Sequence, residues 1–251
     1  MTDIGRITDY LSALLEPERF SDYSPNGLQV EGERPVQRLV TGVTASEAFI
    51  DRALALGADA LLVHHGYFWK GEPAPVTGMK ARRLRKLLGA GVHLLAYHLP
   101  LDAHPKLGNN AQLARVLGFE MEQPFPAGGV PGLGMTGRLD PVSGEALAAR
   151  IASRLSRPPV HVDGGPAEIR RVAWCTGAAQ GFIGQAAELG VDAYISGEIS
   201  EPTAHVARES GIHYFAAGHH ATERYGAQAV GEVLAAQFGL DHQFIDVDNP
   251  A

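Results

Sequence analysis

The stretch LGADALLVHHG, residues 56–66, decides the fold. Gly57 closes the helical run EAFIDRALALG, and ADALLVHH then runs almost unbroken in apolar residues for the length of one strand. That is the pattern of a strand covered on both faces in a mostly parallel sheet. The stretch returns at residues 189–198 as LGVDAYISGE, with Gly190 in the place of Gly57. A second echo follows each copy, GVHLLAYHLPLD at 91–102 and GIHYFAAGHHATE at 211–223. In both, a histidine stands four residues before a carboxylate: His98 before Asp102, and His219 before Glu223. The chain carries one folding unit twice, and metal-ligand residue types collect at matching strand ends.

Working outward, RLVTGVTAS reads as a strand leaving into a helix, KARRLRKLLGAG as a helix and VHLLAYH as a strand. NNAQLARVLGF is helical and MEQPF short and extended. The second copy keeps this order, from RRVAWCTG through GFIGQAAELG, VDAYISG, HVARESG, IHYFAAG and ERYGAQAVGEVLAAQFG to HQFIDV. Between the copies AGGVPGLGMTGRLDP is rich in Gly and Pro and marks a boundary near residue 126. The expected architecture is α/β: two similar halves related by an internal repeat, 1–125 and 126–251, each a mostly parallel sheet flanked by helices. Ligands in such sheets bind beyond the carboxyl ends of strands, so a metal site is expected in the cleft between the halves.

Composition narrows the classes. With 251 residues, 45% of them hydrophobic, the chain has material for one large or two medium domains. No apolar stretch reaches the roughly 20 residues that span a bilayer, and MTDIGRITDYLSALLEPERF lacks a basic start and apolar core, so a cytoplasmic location is expected. The single Cys175, inside the apolar run RVAWCTG, excludes an intrachain disulfide and a Cys-built zinc or iron–sulfur site, and reads as a small buried hydrophobe. A net charge of −7 gives no electrostatic argument for nucleic-acid binding.

Histidines carry the chemistry. Neighbours on a strand face opposite ways, so His64 and His65 at a strand end suit two adjacent ions better than one. His219 and Glu223, four apart at a helix start, share a face. A carboxylate can bridge two cations, a role open to Asp102 or Glu223. Imidazole and carboxylate without thiolate suit zinc, iron, manganese, cobalt or nickel. His98, the repeat partner of His219, is a ligand, an outer donor or a proton shuttle. His205 reads as a surface residue, His104 as solvent-exposed, and His93 and His213, which open matching strands, as structural.

The strings SPNGLQVEG, VHHGYFWKG, HLPLDAHPKLGNNAQLA, SGEISEPTAHVARE and AGHHATERYG resemble those of the GTP cyclohydrolase 1 type 2 homologue family, the dinuclear-metal Ngg-interacting-factor-like proteins. The resemblance runs from about Ser24 to the C-terminus and is closest to the short bacterial form. It implies two divalent metal ions per chain on His64, His65, Asp102, His219 and Glu223, with Glu223 bridging both. It also implies a homo-oligomer, a toroidal hexamer whose metal sites face an internal cavity.

Metal-assisted hydrolysis is the leading function class, because paired cations lower the pKa of a shared water toward neutrality. With GTP as the nucleotide substrate, attack at C8 would open the purine imidazole ring and release formate, His98 carrying a proton. Lys70 stands close to the His pair. The basic run Lys80, Arg82, Arg83, Arg85 and Lys86 reads as a solvated helix face over a buried stripe of Leu84, Leu87 and Leu88. Phe68 and Trp69 suit base stacking or packing equally. No P-loop run is present. The rivals are a metal-dependent phosphoesterase or nuclease and a non-enzymatic, ring-shaped metal-binding or scaffold protein.

Overall fold

The computed structural model describes all 251 residues. In chain order the elements are α1 (Ile4–Leu15), β1 (Gly27–Val30), β2 (Arg38–Thr44), α2 (Glu47–Ala55), β3 (Ala60–His65), α3 (Gly78–Ala90), β4 (His93–Ala96), α4 (Leu99–Ala103) and α5 (Asn109–Leu117). There follow β5 (Glu120–Phe125), β6 (Gly134–Val142), α6 (Gly144–Leu155), β7 (Val160–Val162), β8 (Ile169–Cys175), α7 (Ile183–Glu188), β9 (Ala193–Ser196) and α8 (Glu201–Ser210). The chain ends with β10 (His213–Ala216), α9 (His219–Thr222), α10 (Arg224–Phe238) and β11 (Asp241–Phe244). No helix is long and apolar enough to cross a membrane.

The chain forms two compact units, residues 1–101 with 226–248, and residues 102–225 with 249–251. Each is built on a mixed sheet flanked by helices. The first sheet has the order β1-β4-β3-β2-β11, with β4, β3, β2 and β11 parallel and β1 antiparallel at the edge. The second has the order β5-β6-β8-β9-β10-β7, with β8, β9 and β10 parallel and the outer strands antiparallel. β3 is buried from Ala60 to His64, as a strand covered on both faces must be. Its side chains join Val40, Phe49, Ile50 and Leu87 in the first core. Trp174, Ile195, Phe215 and Ile151 centre the second.

The duplication extends to matching hydrogen bonds. Asp59 accepts hydrogen bonds from the backbone N–H groups of Gln37 and Arg38, both at 2.9 Å. Its counterpart Asp192 accepts from Arg170 and Arg171, both at 2.8 Å. Ala60 pairs with His93 in the first sheet as Ala193 pairs with His213 in the second. Gly57 and Gly190, each ending its helix turn, share a left-handed backbone with φ of 72° and 66°, which a Cβ would strain.

Three strands lie outside those expected from the sequence: β1 in SPNGLQVEG, β6 in GMTGRLDPV and β7 in PPVHVDGG. They are short or Gly/Pro-bearing strands that pair antiparallel outside the parallel core, so no apolar run announces them. Along α3, Leu84 and Leu87 are buried as expected, but Leu88 is 59% exposed and drops out of the stripe. The basic residues do form a charged face, Lys86 bridging Glu47 at 3.0 Å and Asp51 at 2.6 Å. Cys175 is buried, which pushes its thiol pKa well above the ordinary range.

Candidate metal centre

In the first unit three imidazoles meet where β3 and β4 end. Ring nitrogens of His64, His65 and His98 all lie within 4.8 Å of one another. The centroids are 4.4 Å apart for His64 and His65 and 5.1 Å for His64 and His98. Because His65 is the last residue of β3, the strand alternation that would separate neighbours no longer binds it. Each ring is held by its Nδ1. His64 Nδ1 donates to the Tyr97 carbonyl at 3.0 Å, which leaves the lone pair on Nε2. His65 Nδ1 lies 3.1 Å from Thr44 Oγ1.

His98 Nδ1 donates to Asp22 Oδ1 at 2.7 Å. Asp22 also accepts from Asn26 and from the Leu99 N–H through Oδ2. Burial would raise the Asp22 pKa, but the hydrogen bond and charge of His98, with Asn26 and Leu99, outweigh it and hold the value at about 2. An Asp–His pair of this form fixes tautomer and ring orientation. Trp69 stands edge-on to His98, centroids 5.0 Å apart at 86°, and its indole N–H donates to the Gly66 carbonyl at 3.2 Å. That makes Trp69 packing for the imidazoles, while Phe68 lies beneath Lys80 Nζ at 4.8 Å.

In the second unit two buried carboxylates, Asp102 and Glu223, offer oxygens within 4.8 Å of each other. Asn109 donates to Asp102 Oδ1 at 2.9 Å and Thr176 donates to the same oxygen at 3.2 Å. His219 Nε2 is 3.1 Å from Glu223 Oε2, the helix-start pairing expected from their spacing. On its other side His219 Nδ1 is 2.6 Å from Glu198 Oε1. Burial alone would lower the His219 pKa; the hydrogen bonds and charges of Glu223 and Glu198 more than reverse that and lift it to about 9.

In the second copy the first of the matching positions has no room for a side chain. Gly197 stands where the first copy has His64, and a Cβ there would lie 2.7 Å from the Gly177 carbonyl oxygen and 2.7 Å from His219 Cα. Glu198 stands where the first copy has His65 and orients His219 instead. Gly177, φ 69°, is equally confined: a Cβ would fall 2.1 Å from Glu223 Oε1.

These donors fit divalent metal. Two carboxylates with oxygens within 4.8 Å of one another suit a cation held between them. A histidine with one nitrogen on a carbonyl or carboxylate presents the other as a ligand. Sequence reasoning missed Asp22, Thr44, Asn109 and Thr176, which hold the candidate ligands; only their place beside the motifs could have flagged them. His205 is exposed and pairs with Glu201. His104 is half-buried rather than exposed, its Nδ1 accepting the Lys106 and Leu107 N–H groups. His93 is structural as expected, donating to the Arg34 carbonyl and accepting from the Gly32 N–H.

Comparison with known proteins identifies the family. The sequence profile of the Duf34/NIF3 (NGG1p interacting factor 3) family matches residues 2–250. A relative from Allochromatium vinosum, named "GTP cyclohydrolase 1 type 2 homolog", is 57% identical and is matched over 98% of its own length and 100% of this chain. A structural-genomics structure of protein ybgI, of unknown function, is 52% identical with a TM-score of 0.95, covering 100% of both chains. TTHA1606 from Thermus thermophilus is 35% identical with a TM-score of 0.91, again over 100% of both. On that profile and those identities, the chain belongs to the Duf34/NIF3 family.

Proposed function

We propose that this protein is a dinuclear metal-dependent hydrolase of the GTP cyclohydrolase type. His64 and His65 would be ligands from the first unit, Asp102, His219 and Glu223 from the second, with Glu223 shared between two divalent ions. The observation that carries the reading is the preparation of these donors: imidazoles fixed through Nδ1, and two carboxylates buried within 4.8 Å of one another. Divalent ions held there would supply Lewis-acid activation of water near neutral pH.

The chain's own residues supply the rest. Asn109 and Thr176 pin Asp102, and Glu198 turns His219, so neither has to reorganise during the reaction. His98, its Nδ1 proton on buried Asp22, would accept a proton at Nε2 from the attacking water and return it to the leaving nitrogen. With GTP as substrate, the name of the curated relatives being the support, water adds at C8 and the imidazole ring opens to a formamide. A second water releases formate. A hexameric ring and a cytoplasmic location belong to the same proposal and rest on the family resemblance.

The test is formate release from GTP by the metal-loaded protein beside Glu223→Ala. Formate from the wild type and at least about a hundredfold less from the variant is expected. Release that survives loss of Glu223 overturns the two-metal mechanism, and about two metals per chain with no turnover of GTP overturns the cyclohydrolase reading.

A further inference from the structure

The second unit holds another group of metal-ligand side chains at the opposite end of β10. His213 opens that strand, whereas His219 follows its carboxyl end. His213 Nε2 donates to the Pro166 carbonyl at 2.8 Å, so its lone pair is on Nδ1. That atom faces His161 Nε2 at 3.2 Å and Asp163 Oδ1 at 3.4 Å. The ligand atoms of His161, Asp163 and His213 all lie within 4.8 Å of one another. A cation placed among these three atoms would meet two imidazole lone pairs and a carboxylate oxygen at once.

The duplication supplies an internal control. In the first copy the equivalent strand β1 places Leu28 opposite Leu95, as β7 places His161 opposite Phe215. There the matching imidazole, His93, keeps the same carbonyl bond, to Arg34, but its Nδ1 takes the Gly32 N–H at 2.9 Å. The first copy has an ordinary structural histidine; the second carries a second imidazole where the first has Leu28, and Asp163 where the first has Glu31. Both copies keep a cavity at this place, about 340 Å³ beside His93 and about 420 Å³ beside His161 and His213, and the second brings three ligand atoms within 4.8 Å of one another.

We propose that His161, His213 and Asp163 form a mononuclear divalent-cation site of the zinc class, separate from the dinuclear centre. Donor separations choose the metal geometry. Ligands at about 2.05 Å in a tetrahedron stand about 3.3 Å apart, whereas an octahedron with bonds of about 2.1 Å gives about 3.0 Å. The observed 3.2 and 3.4 Å lie nearer the tetrahedral spacing, with the His161–Asp163 pair within 4.8 Å. The rings are held in place: His161 stacks on Phe215, centroids 4.4 Å apart at 8°. A Cβ on Gly144 would sit 2.7 Å from His161 Cε1, so the glycine at the start of α6 admits the ring. Glu145 lines the same cavity and adds negative charge. The fourth position is left to water or a small ligand.

The test loads chelator-stripped full-length protein with excess zinc, removes the free metal by gel filtration and counts zinc per chain. His161→Leu restores the residue of the first copy and is expected to hold one zinc fewer than the wild type. Glu223→Ala should keep that zinc while losing metal at the dinuclear centre. Asp163→Asn changes an exposed side chain and should weaken zinc at this site at least about tenfold without altering folding. Cobalt in place of zinc should add the intense visible bands of tetrahedral coordination, absent in His161→Leu. Equal zinc in wild type and His161→Leu, or unchanged zinc affinity in Asp163→Asn, overturns the proposal; should His161→Leu not fold, Asp163→Asn decides alone.

Discussion

At Gly177 one absent methyl group decides how Glu223 is held. Its φ of 69° already disfavours any side chain, and a Cβ would sit 2.1 Å from Glu223 Oε1. Gly177→Ala is therefore expected to lose about 1 kcal/mol to backbone strain and, beyond that, to displace the carboxylate and release metal. Gly190→Ala separates the two effects, because it shares the positive φ but has only Arg171 Nη1 within reach, at 3.7 Å. It should lower the melting temperature and leave metal content unchanged. Asp22 gives a pH signature. Its pKa is depressed from 3.8 to about 2 in the fold. The stability it contributes, about 2 kcal/mol, is present above pH 4 and lost as pH falls through 2. Denaturant unfolding of Asp22→Asn should show a deficit of about that size at pH 7, shrinking toward pH 2. A deficit independent of pH would sever the link to the carboxylate's charge.

Among the elements, α3 separates what periodicity can say from what packing decides. Leucines at 84, 87 and 88 all fit a helical stripe, but α3 meets its core over an arc that admits only the first two. Leu87→Ala should cost about 2–4 kcal/mol, while Leu88→Lys should stay within about 0.5 kcal/mol by the same denaturation measurement. The parallel strands β2, β3, β4, β8, β9 and β10 were legible because burial on both faces forces apolar runs. Strands β1, β6 and β7 were not, since strands paired antiparallel at or near a sheet edge, bearing Gly, Pro or charge, look like loop until their partner is known. The ligand candidates stood out for a different reason: a histidine four before a carboxylate is by itself an ordinary helix pair, but here it recurs at matching ends of the repeat. The groups that orient them, Asp22 from a loop and Thr44 from a neighbouring strand, become visible only through long-range pairing.

For the whole molecule, duplication explains both what the halves share and what each has given up. The sequence sets an expected boundary near residue 126, whereas the folded units are 1–101 with 226–248 and 102–225 with 249–251. β5 lies in the second sheet and β11, its echo at the end of the chain, lies in the first. Asp102 likewise belongs with His219 and Glu223 in the second unit, and the His pair with the first. The copies differ where each carries its own ligand candidates: Gly197 and Glu198 stand where the first copy has a His pair, and His161 stands where it has Leu28. The central claim is that the two ligand sets serve one dinuclear centre, and anomalous diffraction from crystals of the metal-loaded protein addresses it directly. The account predicts two peaks about 3.5–4 Å apart, touched by His64 and His65 from one unit and by Asp102, His219 and Glu223 from the other. Peaks ligated by one set alone, or a single peak at these residues, would contradict it.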